Sequence, residues 1–273
     1  MRLPAALTAL LLAATCATAQ AASAPAPLSP QAVLPPLAAH HALYTMTLNT
    51  SRGGEIVAAR GTMGYEVVDA CDGWAVRQRL EMTVTNVEGQ DIQMASDYAT
   101  WESKDGLHFR FHMRQMADTA VTSQTDGEAS LQRTGGPGEA HYTTPHDDTK
   151  ALPAGTLFPM MHTEAILAAS RENKKFITLP LFDGTDEGGV EDSSIAILDR
   201  KPPFHTAYPL LSNLASTRVR LAFFDRKPDT ITPSYEVGMR YWENGVADDM
   251  QMDFGDFVMD AKLTELAPQP SHC

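Results

Sequence analysis

Between Val76 and Thr85 the chain alternates, with Val76, Leu80, Met82 and Val84 on one side and Arg77, Arg79, Glu81, Thr83 and Thr85 on the other. A period of two predicts a β-strand with one face on a core and the other in water or a polar lumen. Leu107-His108-Phe109-Arg110-Phe111-His112-Met113 repeats the pattern without a break. Strand character recurs at 41–48, 55–70, 92–101, 121–133 and 141–144, then at 175–182, 190–199, 216–224, 235–241, 246–254 and 257–263. Turn signals separate these runs at Asp72-Gly73, Glu88-Gly89, Lys104-Asp105-Gly106, Asp183-Gly184 and Glu243-Asn244-Gly245. Such residues supply the backbone freedom that tight hairpins need. Lys201-Pro202-Pro203 is expected to end the strand before it, and Gly61 and Gly64 to mark bulges or kinks.

Turns at this spacing predict an antiparallel meander of about a dozen or more strands. So many long strands in one sheet must curl, split or close. The expected fold is mainly β: a long antiparallel curled or spiral sheet, barrel-like and overlapping, with one principal helix near 159–172 plugging or covering an opening. No internal repeat indicates a propeller or a solenoid.

The helix is expected in the one stretch that abandons the two-residue period, Leu152 to Ala169. Pro153 and Gly155 suit a turn, and Pro159 suits the first helical turn, where its missing N–H costs nothing. Thr156 is the candidate cap, with Thr163 followed by Glu164 as the alternative start. Ile166, Leu167 and Ser170 share a side with Met160 and Thr163, and Arg171 and Lys174 place positive charge where the helix dipole favours it. His162 invites a reading as a general base or a ligand. A single histidine at the start of an apolar helix is more simply a hydrogen-bonded residue that fixes the helix against the sheet. Met160 and Met161 suit irregular core.

Composition places this architecture. The 273 residues carry a formal net charge of −13, which argues against nucleic-acid partners and against a grip on anionic lipid. Residues 1–21 read as a secretory signal peptide: Arg2, an apolar run from Leu3 to Ala14, and small residues at Ala17-Thr18-Ala19 and Ala19-Gln20-Ala21. That run is too short to span a bilayer, and no later stretch approaches a membrane helix in length. Ala13 and Thr15 depart from the pattern that would make Cys16 a lipid anchor. Residues 22–38, rich in Ala, Pro and Ser, read as a flexible linker, and 39–273 as a single domain. Beyond the signal only Cys71 and Cys273 remain, and an even pair in an exported chain reads as one disulfide. Closing a loop of about 200 residues is worth at most roughly 5 kcal/mol on the chain-entropy model.

Chemistry is sparse. His108, Arg110 and His112 share a strand face, but His108 and His112 would stand about 13–14 Å apart, too far for one metal. His141, His146, Asp147 and Asp148 match no zinc spacing. Asp183-Gly184-Thr185-Asp186-Glu187 lacks the ligand alternation of a calcium loop and reads as a turn. There is no Gly-x-Ser-x-Gly, phosphate loop or His-Glu-x-x-His. No cofactor, metal or catalytic residue is expected.

Ala39-His40-His41-Ala42-Leu43-Tyr44, Cys71-Asp72-Gly73-Trp74, Leu152-Pro153-x-Gly155-Thr156-x-Phe158-Pro159-x-x-His162-Thr163 and Phe182-Asp183-Gly184-Thr185, in that order, carry a resemblance. From about Ala39 to Cys273 the chain resembles the EipB-like cell envelope integrity proteins of Gram-negative α-proteobacteria. Where the family pattern has Arg after the first His, this chain has His41. The resemblance implies a periplasmic protein with a continuous sheet that spirals on itself and a disulfide matching Cys71 and Cys273. It carries over no catalytic residue, and the candidate binding residues are His162, Thr163, His40 and Tyr44. The function expected is non-enzymatic support of envelope integrity through another envelope protein. The alternatives are a carrier holding a hydrophobic ligand, a lipid or lipoprotein acyl chain, and a hydrolase using His162 with an acidic partner.

Overall fold

The computed structural model describes residues 36–270 and 273. The signal reading at 1–21 and most of the linker reading lie outside the described residues. Leu37 and Ala38, assigned above to the linker, belong to the packed domain. Leu37 is buried, and the Ala38 N–H donates to the Asn244 carbonyl at 2.9 Å.

A single 14-stranded antiparallel sheet accounts for nearly all of the fold, in the order β8-β7-β6-β5-β4-β3-β2-β1-β14-β13-β12-β11-β10-β9. The first arm is β1 (His40–Ser51), β2 (Ile56–Asp69), β3 (Gly73–Asn86), β4 (Asp91–Ser103), β5 (His108–Ala117), β6 (Ala120–Leu131), β7 (Gly138–Thr144) and β8 (Asp148–Leu152). The helix α1 (Pro159–Arg171) follows. The second arm is β9 (Phe176–Leu181), β10 (Glu191–Phe204), β11 (Leu214–Asp225), β12 (Tyr235–Trp242), β13 (Ala247–Asp253) and β14 (Phe257–Pro268). The terminal strands β1 and β14 pair at the middle of the order, and the strands flanking the helix form its two edges. The sheet is curled and not closed. Leu157, between β8 and α1, makes a one-residue parallel bridge to Leu181 at the end of β9, so the edges approach without merging.

The inward-facing positions form apolar clusters inside the curl. One joins β1–β3, β10–β14 and the Ile166–Ala169 side of α1; Met46, Ile195, Val219 and Met259 are among its fully buried members. A second, aromatic cluster fills the curl of β5–β8, where Phe109, Phe111 and Tyr142 meet Phe158 and Phe182. A third, including Trp74, Val76, Met160 and Leu167, lies where the start of α1 meets β2 and β3. At the far ends of β4–β6 the packing stops. Asp91, Ile92, Gln93 and Met94 are exposed in succession, as are Ala120, Val121 and Thr122, so both faces of this arm meet solvent.

Several local expectations change. β10 continues through Pro202 and Pro203, because β9 ends its pairing at Ala196 and leaves that side of the strand free of a partner. A proline costs nothing where no ladder hydrogen bond is required, and pairing with β11 skips between Lys201 and Phe204. Gly61 and Gly64 lie in regular register with both neighbours, and the bulge in β2 falls between Ile56 and Ala58. At Gly61 the requirement is close approach: a Cβ there would stand 2.4 Å from the Glu81 carbonyl oxygen. β8 lacked an alternating signal because it is a short edge strand with only Leu152 turned into the core.

Candidate functional site

The helix start is held from outside the helix, by Glu102 on β4. Phe158 occupies the N-cap position without a side-chain cap, and Pro159 follows it. The cap comes from β4. The Glu102 carboxylate accepts the backbone N–H groups of Met160 at 2.7 Å and Met161 at 3.0 Å. Neither Thr156 nor Thr163 fills that role: Thr156 donates to the Pro153 carbonyl, and Thr163 donates back to the Pro159 carbonyl. A carboxylate at the positive end of a helix, with two N–H donors, suits both charge and hydrogen bonding. Burial nevertheless pushes the Glu102 carboxyl up to about 7, against the pull of those two bonds. One signal for this residue was available. Glu102 pairs with Trp74 and Phe109, so it takes an inward position on its strand.

His162 is buried, and its Nε2 lies 2.8 Å from the hydroxyl of Ser193 on β10. Burial lowers its pKa to about 4, so the ring is neutral. This contact ties the first turn of α1 to the sheet. Ser193 is itself fully buried, so the pair presents no nucleophile to solvent.

The other three candidate residues come together elsewhere. His40 and Tyr44 on β1 and Thr163 on α1 line a cavity of about 200 Å³. Tyr65, Tyr241, Asn244 and four methionines, Met63, Met160, Met239 and Met250, complete most of its wall. His162 is not part of it. Tyr44 donates to the Ala247 carbonyl at 2.8 Å, and the Asn244 amide donates to the Leu210 carbonyl at 2.9 Å. Burial raises the Tyr44, Tyr65 and Tyr241 phenols above their ordinary range, partly offset at Tyr241 by the neighbouring Thr163 hydroxyl. His40 is 2% exposed; its Nδ1 lies 2.7 Å from the Ala38 carbonyl oxygen. Its Nε2 has no protein partner among the described residues.

The polar candidates stay apart from chemistry. The faces of β5 divide as expected, with Phe109, Phe111 and Met113 buried and His108 and Arg110 exposed. His112 meets Asp126 through a short contact on the outer face. The turn at 183–187 is more than a connector. Its Asp183, Gly184 and Asp186 carbonyls accept hydroxyls from Tyr98 on β4 (2.6 Å), Thr125 on β6 (2.6 Å) and Tyr142 on β7 (2.9 Å). The Phe182-Asp183-Gly184-Thr185 stretch therefore plugs the aromatic end of the spiral. The Cys71–Cys273 disulfide is formed, with Cα atoms 5.4 Å apart.

An unclosed antiparallel spiral, stapled by one disulfide and filled by its own helix and aromatic side chains, defines a mainly β, barrel-like protein. The chain belongs to the EipB-like family, whose model matches residues 31–270. It is 27% identical over 237 residues to the cell envelope integrity protein EipB of Brucella abortus (strain 2308), covering 84% of each chain. It is also similar to the crystal structure of a β-barrel-like protein of domain of unknown function DUF1849 from Brucella abortus. The TM-score there is 0.78 at 26% identity, covering 87% of this chain and 100% of that one.

Proposed function

We propose that this protein acts in the periplasm as a non-enzymatic binding protein that supports cell envelope integrity by docking another envelope protein. The role in envelope integrity rests on family membership and on the relative named for it. The docking reading rests on the β4–β6 arm, where Ile92, Met94 and Val121 stay exposed beyond the end of the core. Apolar side chains left on a projecting arm suit an interface better than free solvent. What favours docking over carriage is the filled interior: ligand sites for larger molecules run from roughly 300 to 1,000 Å³, and the cavity on β1 measures about 200 Å³. What favours binding over hydrolysis is the burial of His162 and Ser193.

The test is genetic. A strain lacking the gene, challenged with detergent and cell-wall antibiotics, should become sensitive and recover with the wild-type gene. A triple variant, Ile92→Asp, Met94→Asp and Val121→Asp, should fold normally, since these side chains lie outside the core, and should fail to restore resistance. Unchanged sensitivity in the deletion strain would overturn the envelope role. Full rescue by the triple variant would overturn the docking arm.

A further inference from the structure

The wall of the cavity on β1 is mostly apolar; of its polar side chains Tyr44, Thr163 and Asn244 already serve the protein, and Tyr65, Gln78 and Tyr241 join His40 as the others. His40 differs. The Ala38 carbonyl oxygen beside its Nδ1 can only accept, so Nδ1 carries the proton. Burial disfavours the imidazolium form, which leaves Nε2 as a bare lone pair. An acceptor buried without a partner leaves its desolvation uncompensated, and a bound donor would recover it. Among the described residues Ser51 Oγ, Arg171 Nε and Trp242 Nε1 also lack hydrogen-bond partners, but they lie outside this cavity. The remaining wall is suited to an adaptable ligand, because methionines reshape around an irregular apolar body at small cost.

We propose that this cavity binds a small apolar molecule carrying one hydroxyl, an alcohol or phenol of about single-ring size, oriented by an O–H···Nε2 hydrogen bond to His40. Size sets the class. A cavity of about 150 Å³ admits benzene, so the about 200 Å³ available here holds a ring with a short substituent. This site is independent of the docking arm on β4–β6, and either can fail without the other.

The experiment uses the full domain with ¹³C-methyl-labelled methionine and three matched probes: 4-ethylphenol, ethylbenzene and 4-ethylanisole. The probes share a body, and only the first can donate. Saturable shifts of the Met63, Met160, Met239 and Met250 methyls are expected, with Met116 on β5 unmoved. 4-Ethylphenol should bind roughly ten-fold more tightly than either analogue, the worth of one buried hydrogen bond. His40→Phe should erase that preference, and Met63→Trp should abolish binding of all three by filling the space. The site is overturned if the cavity methyls do not shift saturably. The His40 assignment is overturned if the three probes bind wild-type protein equally, or if the preference persists in His40→Phe. The wild-type comparison decides the matter even if a His40 variant does not fold.

Discussion

Glu102 and His162 pull stability in opposite directions with pH. The Glu102 carboxyl is raised from 4.5 to about 7, so the folded chain holds a proton that the unfolded chain releases between those values. Stability therefore falls as pH rises through that window and levels off above it. The effect is on the order of 3 kcal/mol at most. His162 is lowered from 6.5 to about 4, so there the unfolded chain binds the extra proton and stability rises with pH across that interval. Urea unfolding across a pH series separates the two. The stability of Glu102→Gln relative to wild type should improve from pH 4.5 to pH 8; a difference constant with pH would contradict the assignment. His162→Gln should flatten the acid side of the profile. Glu102→Ala removes the cap and both N–H bonds, and a loss of about 2 kcal/mol is expected. At this scale the sequence was legible in part. His162 is the hydrogen-bonded residue that a lone helix histidine suggests, joined to the sheet through Ser193. Glu102 is not legible as a cap because helix-start signals are local in sequence, whereas this cap arrives from a strand 58 positions earlier. Counting strand parity would have flagged a carboxylate between two aromatics on the inward side.

Among the elements, alternation found most of the strands and the helix because both express one buried face. It failed where burial is not periodic. β8 is short and mostly outside the core, and the second half of β10 is exposed on both faces. The turn after β9 shows a different limit. Asp-Gly announced a reversal of the chain, but not that three hydroxyls from three strands would receive it. Gly184 has a φ of +70°, and a Cβ on it would lie 2.3 Å from the Phe111 ring. Gly184→Ala therefore meets a left-handed backbone and a packed aromatic at once, and should cost roughly 2–4 kcal/mol. Near-UV circular dichroism of the variant should show loss of aromatic ordering around Phe109, Phe111 and Phe182. An unaltered spectrum and midpoint would mean that the turn does not lock the aromatic end.

For the whole molecule, composition and turn spacing indicated one curled antiparallel sheet, and cysteine parity indicated its staple. Strand order was beyond reach. Hairpin signals report neighbours in sequence, and nothing local says that β1 pairs with β14. The disulfide spans 202 positions and ties the β2–β3 hairpin to the chain end beyond β14. The purified, unreduced protein should show no free thiol at these two cysteines. Replacing both by serine should lower stability by up to about 5 kcal/mol, less whatever structure the unfolded chain retains. Full retention of stability would mean that the β1–β14 ladder alone holds the arms.

That central pairing also dictates an order of events as the chain is made. Each arm consists of neighbours in sequence, so β1 to β8 can zip hairpin by hairpin while the rest is still emerging. The join must wait for β14, the last strand of the sheet in chain order. Until then β1 offers an open edge, a ready template for pairing with other chains. Pulse-labelled hydrogen exchange during refolding should find the β1–β14 amides protected last, and a chain truncated before Phe257 should keep both arms yet aggregate through β1. A newborn molecule is thus two half-sheets awaiting their seam.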